Sequence, residues 1–212
     1  MLAHNMKYLY SLKNKNLSNQ ICLLRVDFNL TDDDLKKQEI PLRMRTVLPT
    51  IKFLLDKGAK VVILSHRGRP KSARRTNSEF RIKNLEFSLK PFTGLLSKLL
   101  KKTVKFVNFN IMTSDVLNID VNFGTSDVLL LENLRFLAGE DKNDQKFAKN
   151  LASLGTFYVN EAFAFSHRPT ASMTSIPKFL PSYAGLLLQD TMRHSAPAAR
   201  EHSSTAFVGR ST

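Results

Sequence analysis

The chain of 212 residues is 42% hydrophobic and 24% charged, a composition typical of a globular protein with one sizeable core. Its single cysteine, Cys22, excludes an intramolecular disulfide, and because no stretch approaches the roughly 18 apolar residues of a membrane span, we expect a soluble, cytoplasmic protein. The formal net charge of +14 favours an anionic partner, which a nucleic acid, a membrane surface or a small polyanionic metabolite would equally satisfy.

The first part of the chain predicts a strand followed by a helix. Ile21–Val26 is an apolar run interrupted by one arginine, which indicates a buried strand. Residues 30–41 are polar and predict a surface loop. Apolar residues at helical spacing predict a helix over Arg43–Lys57, which Pro49 should kink and Gly58 should end.

A second buried strand is predicted over Lys60–Ser65, and the polar motif His66-Arg67-Gly68-Arg69-Pro70 follows it directly. Two arginines and a histidine at a strand end suit an anionic ligand, because guanidinium groups match the oxygens of carboxylates and phosphates. The same motif also resembles a hook that enters the DNA minor groove. Such a hook usually lies in a flexible basic stretch, so its position after an apolar strand favours the anion site.

The second part of the chain continues to alternate strands with helices. We predict helices over Leu89–Lys101 and Gln145–Leu154, strands over Thr103–Val107, Val128–Leu131 and Phe157–Val159, and a last helix within Pro177–Gln189. This alternation predicts an α/β domain over residues 1–189, built as a three-layer sandwich with a parallel sheet and helices on both faces. Residues 190–212 lack lysine and periodicity, and we expect a disordered tail or linker there.

Polar side chains follow four of the predicted strands. These side chains are Asp27 and Asn29, His66 and Arg69, Glu132 and Arg135, and Asn160 and Glu161. Because the carboxyl ends of parallel strands lie at one edge of a sheet, we expect the four groups to share that edge.

Six motifs in chain order resemble the amino-terminal half of the phosphoglycerate kinases. They are Arg25-Val26-Asp27-Phe28-Asn29, Leu48–Leu55, Ser65–Pro70, Glu132–Phe136, Asn160–Phe163 with His167-Arg168, and Pro181–Leu188. The resemblance runs from about Leu23 to Gln189 and includes the strand ends at which the polar groups are predicted. It implies the Rossmann-like amino-terminal domain of that family.

The resemblance also implies an activity. The family catalyses reversible phosphoryl transfer between 1,3-bisphosphoglycerate and ADP, which gives 3-phosphoglycerate and ATP in glycolysis, and it uses Mg2+ with the nucleotide. The motifs of its nucleotide-binding domain are missing here. We therefore expect this chain to carry the substrate-binding half, to contain no nucleotide-binding or metal-binding residue, and to be inactive alone. The family is usually monomeric, and no membrane or nucleic-acid partner is expected from the resemblance.

Site residues follow from the same resemblance, position by position. The implied substrate-binding residues are Asp27, Phe28, Asn29, Arg43, His66, Arg67, Gly68, Arg69, Arg135 and Arg168. Asp27 and Asn29 would bind the glycerate hydroxyl and carboxyl end, while the histidine and the last three arginines would hold the phosphate that is not transferred. Arg43 would stabilise charge on the transferring group and is the expected catalytic residue, with Arg45 as the alternative.

Other interpretations stay open at this point. Asp27 and Asn29 would also suit a turn, and Arg135 would also suit a structural ion pair with Glu132. The run Asp32-Asp33-Asp34 lacks the spacing of a calcium loop and indicates a solvated turn. Two alternative functions are a basic nucleic-acid-binding protein that uses the arginine hook, and a non-catalytic module that binds a phosphorylated metabolite.

Overall fold

The computed structural model describes residues 7–37, 39–70, 85–108, 119, 121–162 and 169–189. The strands are β1 (Lys7–Tyr8), β2 (Ile21–Arg25), β3 (Lys60–Leu64), β4 (Val104–Val107), β5 (Val128–Leu131), β6 (Phe157–Asn160) and β7 (Ser182–Ala184). The helices are α1 (Asp32–Lys36), α2 (Leu42–Arg45), α3 (Leu48–Asp56), α4 (Phe92–Leu100), α5 (Ala138–Asp141) and α6 (Gln145–Ala152). These strands form one seven-stranded sheet in the order β1-β7-β6-β2-β3-β5-β4.

Two apolar layers cover the sheet, one on each face. Leu24 and Ile63 point into a core that includes residues of α3 and α4. Leu23 and Val62, their neighbours along β2 and β3, point into a second core that includes residues of α6. Side chains alternate between the two faces of a strand, and a sheet that is buried on both faces therefore needs continuous apolar runs. The three-layer α/β sandwich predicted from the sequence is confirmed.

The strands pair in parallel, and their register brings several strand ends to one level. Arg25, the last residue of β2, pairs with Leu64 on β3 and with Asn160 on β6. The chain leaves the sheet at these positions, and it leaves β5 nearby at Leu131. We call the segments that follow these strands, residues 26–29, 65–70, 132–137 and 161–162, the carboxyl edge. The opposite border, where the strands begin, is the amino edge.

The helix predicted over Arg43–Lys57 is wrong as a single element. Thr46 and Val47 form a turn that separates α2 from α3. Pro49 lies in the first turn of α3, where the missing N–H costs no helical hydrogen bond, so it starts a helix instead of kinking one. Gly58 has φ +86° and follows the helix end, as predicted.

The prediction of a last helix within Pro177–Gln189 is wrong over most of its length. Ile176–Lys178 is a 3₁₀ turn, and β7 extends the sheet beside β6, with Val159 opposite Tyr183. Only residues 186–189 are helical. Three residues of strand among apolar neighbours do not show the alternation that distinguishes a strand from a helix.

Two further features differ from the expectations. The polar segment predicted as a loop contains α1, because Thr31 and Asp34 form a reciprocal capping box at its start. In the part of the chain that the structure describes, no helix is long and apolar enough to cross a membrane. The tail predicted over residues 190–212 lies outside the described residues, and the boundary at residue 189 stays a prediction.

Candidate functional site

The loops after β2 and β3 are joined by hydrogen bonds at the carboxyl edge. The backbone N–H of Phe28, whose side chain is fully buried, donates to Ser65 Oγ at 2.9 Å. Asp27 Oδ1 accepts from the N–H of Asn29 at 3.1 Å, and Asn29 Oδ1 accepts from the N–H of Gly68 at 2.7 Å. Asp27 and Asn29 therefore form a turn, which the sequence left open as the alternative to a binding role. Asn29 also fixes the loop after β3.

Gly68 is the point at which three loops meet. Its carbonyl accepts a hydrogen bond from Arg135 Nη1 at 2.6 Å, which brings in the loop after β5. Its φ is +58°, and a Cβ added there would lie 2.3 Å from the Phe87 ring, so only glycine fits this close approach. The structure therefore brings Asn29, Gly68 and Arg135 together, as the sequence predicts for the shared edge.

The buried side chain of Arg67 links neighbouring segments by hydrogen bonds. Its side chain is only 4% exposed, and its three nitrogens donate to the Leu30 carbonyl at 2.8 Å, the Ser88 carbonyl at 3.0 Å and Asp32 Oδ1 at 2.6 Å. A minor-groove hook needs both of its arginines within reach of the DNA, and only Arg69 is exposed here. The contacts of Arg67 therefore favour a role in positioning the loop and do not favour the nucleic-acid interpretation.

Arg43 reaches the edge from α2. Its guanidinium forms an ion pair with the carboxylate of Asp27, and its side chain remains 44% exposed. Arg45 is also exposed, two residues further along the same short helix. Arg43 is thus the arginine of α2 that the structure brings to Asp27. This contact favours Arg43 over Arg45 as the candidate catalytic arginine.

The loop after β5 contains a buried carboxylate. Glu132 accepts hydrogen bonds from Ser88 Oγ at 2.6 Å and from the N–H groups of Leu89 and Asn133, both at 2.8 Å. Glu132 therefore binds these groups instead of pairing with Arg135. The Arg135 guanidinium has Asp141 Oδ1 at 3.5 Å from its Nε in addition to its contact with Gly68.

Glu161 at the end of β6 is also committed to the protein. Its buried carboxylate accepts hydrogen bonds from the Thr50 hydroxyl and from the N–H of Leu187 at 3.0 Å. Asn160 Oδ1 accepts from the N–H of Ala162 at 2.9 Å. The fourth predicted polar group therefore lies where β6 ends, as expected, and its described contacts fix the backbone at Ala162 and Leu187.

Sequence reasoning missed a buried arginine beneath the edge. Arg25 Nη2 lies 2.7 Å from His66 Nδ1, and both side chains are almost fully buried. Burial raises the pKa of the nearby Tyr158 phenol, and the positive charge of Arg25 opposes this shift. Two sequence signals pointed to Arg25: it opens the motif Arg25–Asn29, and it is a charged residue within an apolar strand, which occurs rarely without a buried partner.

A cleft of about 500 Å³ opens beside Asn29 and Gly68, between α1 and the 3₁₀ turn Leu85–Phe87. Its lining holds three carboxylates, Asp32, Asp33 and Glu86, against two cations, Lys36 and Arg67, and the net negative charge opposes a phosphate. The basic residues of the edge therefore fit an anion better than this cleft does. Arg168, the last predicted site residue, lies outside the described residues.

Comparison with a family model described as Phosphoglycerate kinase gives a match over residues 12–209. The match extends beyond Gln189, where the motifs in the sequence end. The phosphoglycerate kinase of Wolbachia sp. subsp. Drosophila simulans (strain wRi) is 43% identical over 201 residues, which cover 94% of this chain and 48% of the relative. The phosphoglycerate kinase of Coprothermobacter proteolyticus is 39% identical over 191 residues, which cover 88% of this chain and 45% of that relative. The chain spans about half the length of the curated relatives it matches.

Two solved structures share this fold. The phosphoglycerate kinase from Coxiella burnetii aligns with a TM-score of 0.66 at 32% identity and covers 85% of this chain and 42% of that one. The phosphoglycerate kinase from Pyrococcus horikoshii OT3 aligns with a TM-score of 0.66 at 29% identity, and the alignment covers 89% of this chain and 44% of that one.

Proposed function

This chain belongs to the phosphoglycerate kinase family, and we propose that it carries the phosphoglycerate-binding half of such an enzyme. The reaction would be reversible phosphoryl transfer between 1,3-bisphosphoglycerate and ADP, with 3-phosphoglycerate and ATP as products. The observation that carries the proposal is the junction at Gly68, whose N–H binds Asn29 and whose carbonyl binds Arg135. This junction sets exposed Arg69 beside the polar loops, where a phosphorylated acid can be recognised by guanidinium groups.

Each side chain at the edge has a role in this proposal. Asp27 and Asn29 orient the hydroxyl and carboxyl end of the glycerate, while Arg69 and Arg135 hold the phosphate that is not transferred. His66 and Arg168 complete the basic group by resemblance. Phosphoryl transfer needs positioning and charge stabilisation more than a covalent nucleophile, and Arg43 is the candidate for the latter role.

The ion pair of Arg43 with Asp27 supports that assignment in a specific way. Asp27 holds the guanidinium at the edge, and the exposed remainder of the Arg43 side chain stays available to a ligand. A developing negative charge on the transferring group would be stabilised by this cation. Loss of such a group costs about tenfold in rate for every 1.4 kcal/mol of barrier.

The nucleotide side of the reaction requires residues other than those described. The family generally uses ATP or ADP with Mg2+, yet among the residues that the structure describes, no group of three His, Cys, Asp or Glu side chains could hold a metal ion. We propose that the nucleotide and its metal bind to a second half, and that this chain alone binds phosphoglycerate in the cytoplasm without turnover. As an isolated chain it would then behave as the phosphometabolite-binding module considered above.

Calorimetric titration tests the proposal. We expect 3-phosphoglycerate to bind the purified chain and Mg-ATP not to bind it. Arg43→Ala and Arg69→Ala should each weaken 3-phosphoglycerate binding by about tenfold, because each removes a charge-assisted contact. Arg45→Ala, on the same helix as Arg43, should change the affinity less.

Lys102→Ala is the matched charge control, because Lys102 lies at the amino edge in a surface ion pair with Asp127. It should leave 3-phosphoglycerate binding unchanged. Absence of any binding to the wild-type chain, or equal losses in Lys102→Ala and Arg69→Ala, would contradict the proposed site.

A further inference from the structure

A chain of buried hydrogen bonds runs beneath the carboxyl edge, from α5 to the loop after β3. Glu140 on α5 accepts from the Ser172 hydroxyl at 2.6 Å and from the Ser172 N–H at 2.9 Å. Ser172 Oγ in turn accepts from Arg25 Nε at 2.9 Å, and Arg25 Nη2 lies 2.7 Å from His66 Nδ1. All four side chains are at most 2% exposed.

In each bond of this hydrogen-bond network, each group has only one possible role as donor or acceptor. A guanidinium has no acceptor atom, so Arg25 donates to both of its side-chain partners, and His66 Nδ1 must accept. The Ser172 hydroxyl uses its one hydrogen for the carboxylate of Glu140 and presents a lone pair to Arg25. A neutral imidazole with an accepting Nδ1 bears its hydrogen on Nε2. The hydrogens therefore point outward from Arg25, toward Ser172 and Glu140 on one side and toward His66 Nδ1 on the other, so the position that Glu140 and Ser172 give to Arg25 decides where it meets the His66 ring.

The charges explain why Glu140 matters to Arg25. Both ions are buried, and among the described residues no carboxylate pairs directly with the Arg25 guanidinium. A buried cation without a nearby anion is costly, so the Glu140 carboxylate compensates Arg25 through one hydroxyl group. The Arg25 side chain also donates to the Val26 carbonyl, which fixes the guanidinium at the start of the loop after β2.

We propose that Glu140 is a positioning residue for His66, acting through Ser172 and Arg25 to hold the imidazole with its hydrogen on Nε2. The ring then holds a fixed donor, Nε2–H, that is buried beneath the carboxyl edge. Its use toward a phosphoglycerate oxygen rests on the function proposed above, whereas the control of the tautomer by Glu140 does not.

Side-chain NMR of the labelled full chain tests this control without any ligand. The ring nitrogens of His66, assigned with His66→Gln, should show Nδ1 without hydrogen wherever the imidazole is neutral. The Arg25 Nε–H should exchange slowly with water because it is buried and hydrogen-bonded. In Glu140→Gln we expect this exchange to quicken by about tenfold, and we expect the tautomer with hydrogen on Nδ1 to become populated.

Glu132→Gln is the matched control, because Glu132 is a second buried carboxylate at the same edge whose partners do not include Arg25 or His66. It should leave the signals of Arg25 and His66 as in the wild type. Ser172→Ala removes only the linking hydroxyl and should reproduce the effect of Glu140→Gln, so it tests the link even if the glutamine variant does not fold.

Wild-type signals of Arg25 and His66 in Ser172→Ala, or equal changes in Glu132→Gln and Glu140→Gln, would overturn the proposal. Titration with 3-phosphoglycerate separates the two proposals. Binding should weaken by about fivefold in Glu140→Gln if the fixed donor serves the ligand. If the wild-type chain does not bind 3-phosphoglycerate while the NMR signals respond as expected, the proposed function fails and the positioning role stands.

Discussion

The two edges of the sheet use charged residues in different ways. At the carboxyl edge, Arg67 and Glu132 are buried, and each forms three hydrogen bonds within the protein. At the amino edge, Lys102 and Asp127 form a single ion pair at 2.8 Å, with both side chains about half exposed. Water can replace the partners of an exposed ion but not those of a buried one, so equal charges should contribute unequally to the stability of the two edges.

Two glycines with left-handed backbone provide the largest test of this difference. At Gly68 of the carboxyl edge, alanine would combine backbone strain with a clash against the Phe87 ring, and we expect Gly68→Ala to cost about 3 kcal/mol of unfolding free energy. Gly124, before β5, has φ +55° and open space around it, so Gly124→Ala should cost about 1 kcal/mol from strain alone. Urea unfolding of both variants measures the difference.

Equal losses at the two glycines would mean that the contact with Phe87 is relieved without cost, and the junction at Gly68 would then be less rigid than its packing indicates. A 3-phosphoglycerate titration of both folded variants gives a second readout. Binding should weaken only in Gly68→Ala, because only that residue joins the loops of the candidate site.

Neutralising one carboxylate at each edge should give two losses of unfolding free energy that differ less than those of the two glycine variants. Glu132→Gln keeps one oxygen for the N–H groups of Leu89 and Asn133 but places an NH2 group where Oε2 accepts from the Ser88 hydroxyl, and we expect a loss of about 2 kcal/mol. Asp127→Asn removes only a surface ion pair and should change stability by at most about 0.5 kcal/mol. Thermal or urea unfolding at neutral pH measures both losses of stability. Similar losses in Glu132→Gln and Asp127→Asn would show that burial does not decide how much a carboxylate contributes.

The smallest effect is expected from Asp34, a carboxylate of the capping box on α1. Hydrogen bonds from the Thr31 backbone and from Lys37 and Thr31 side chains lower the pKa of Asp34 to about 2 from its ordinary value of 3.8. Because the folded-state pKa is the lower one, the stabilisation is complete above the ordinary value and is lost as the pH falls through about 2.

An NMR titration of the Asp34 carboxyl group should show the lowered midpoint. Thr31→Ala removes one side-chain donor and should move that midpoint toward the ordinary value. An unchanged midpoint in this variant would show that the backbone hydrogen bond and Lys37 lower the pKa of Asp34 without help from the Thr31 hydroxyl.

Much of the fold follows from the sequence because the central strands are buried on both faces. Val61–Leu64 and Val128–Leu131 are continuous apolar runs that no exposed element would carry. The marginal strands β1 and β7 contain few residues, and tertiary pairing, not local pattern, forms them. The turn before Pro49 was missed for a similar reason, since the apolar spacing continues through it.

The members of the candidate site were easier to predict than their burial and their contacts. The strand ends and the resemblance indicated Asn29, Gly68 and Arg135, and the structure brings these three together. Sequence alone could not show that Arg67 is buried while Arg69 is exposed, because both flank the same glycine. Nor could it find Ser172, whose contact with Arg25 joins residues 147 positions apart.

The pairing of β1 with β7 has a consequence for the order in which the chain can fold. Lys7 and Tyr8 find their partners only at Tyr183 and Ala184, and the N–H of Tyr10 donates to Gln189 Oε1 at 3.2 Å. During synthesis the central pair β2–β3 can form early, whereas this border of the sheet must wait until nearly all described residues have emerged. Such distant contacts slow folding, so this border of the sheet closes last as the chain emerges.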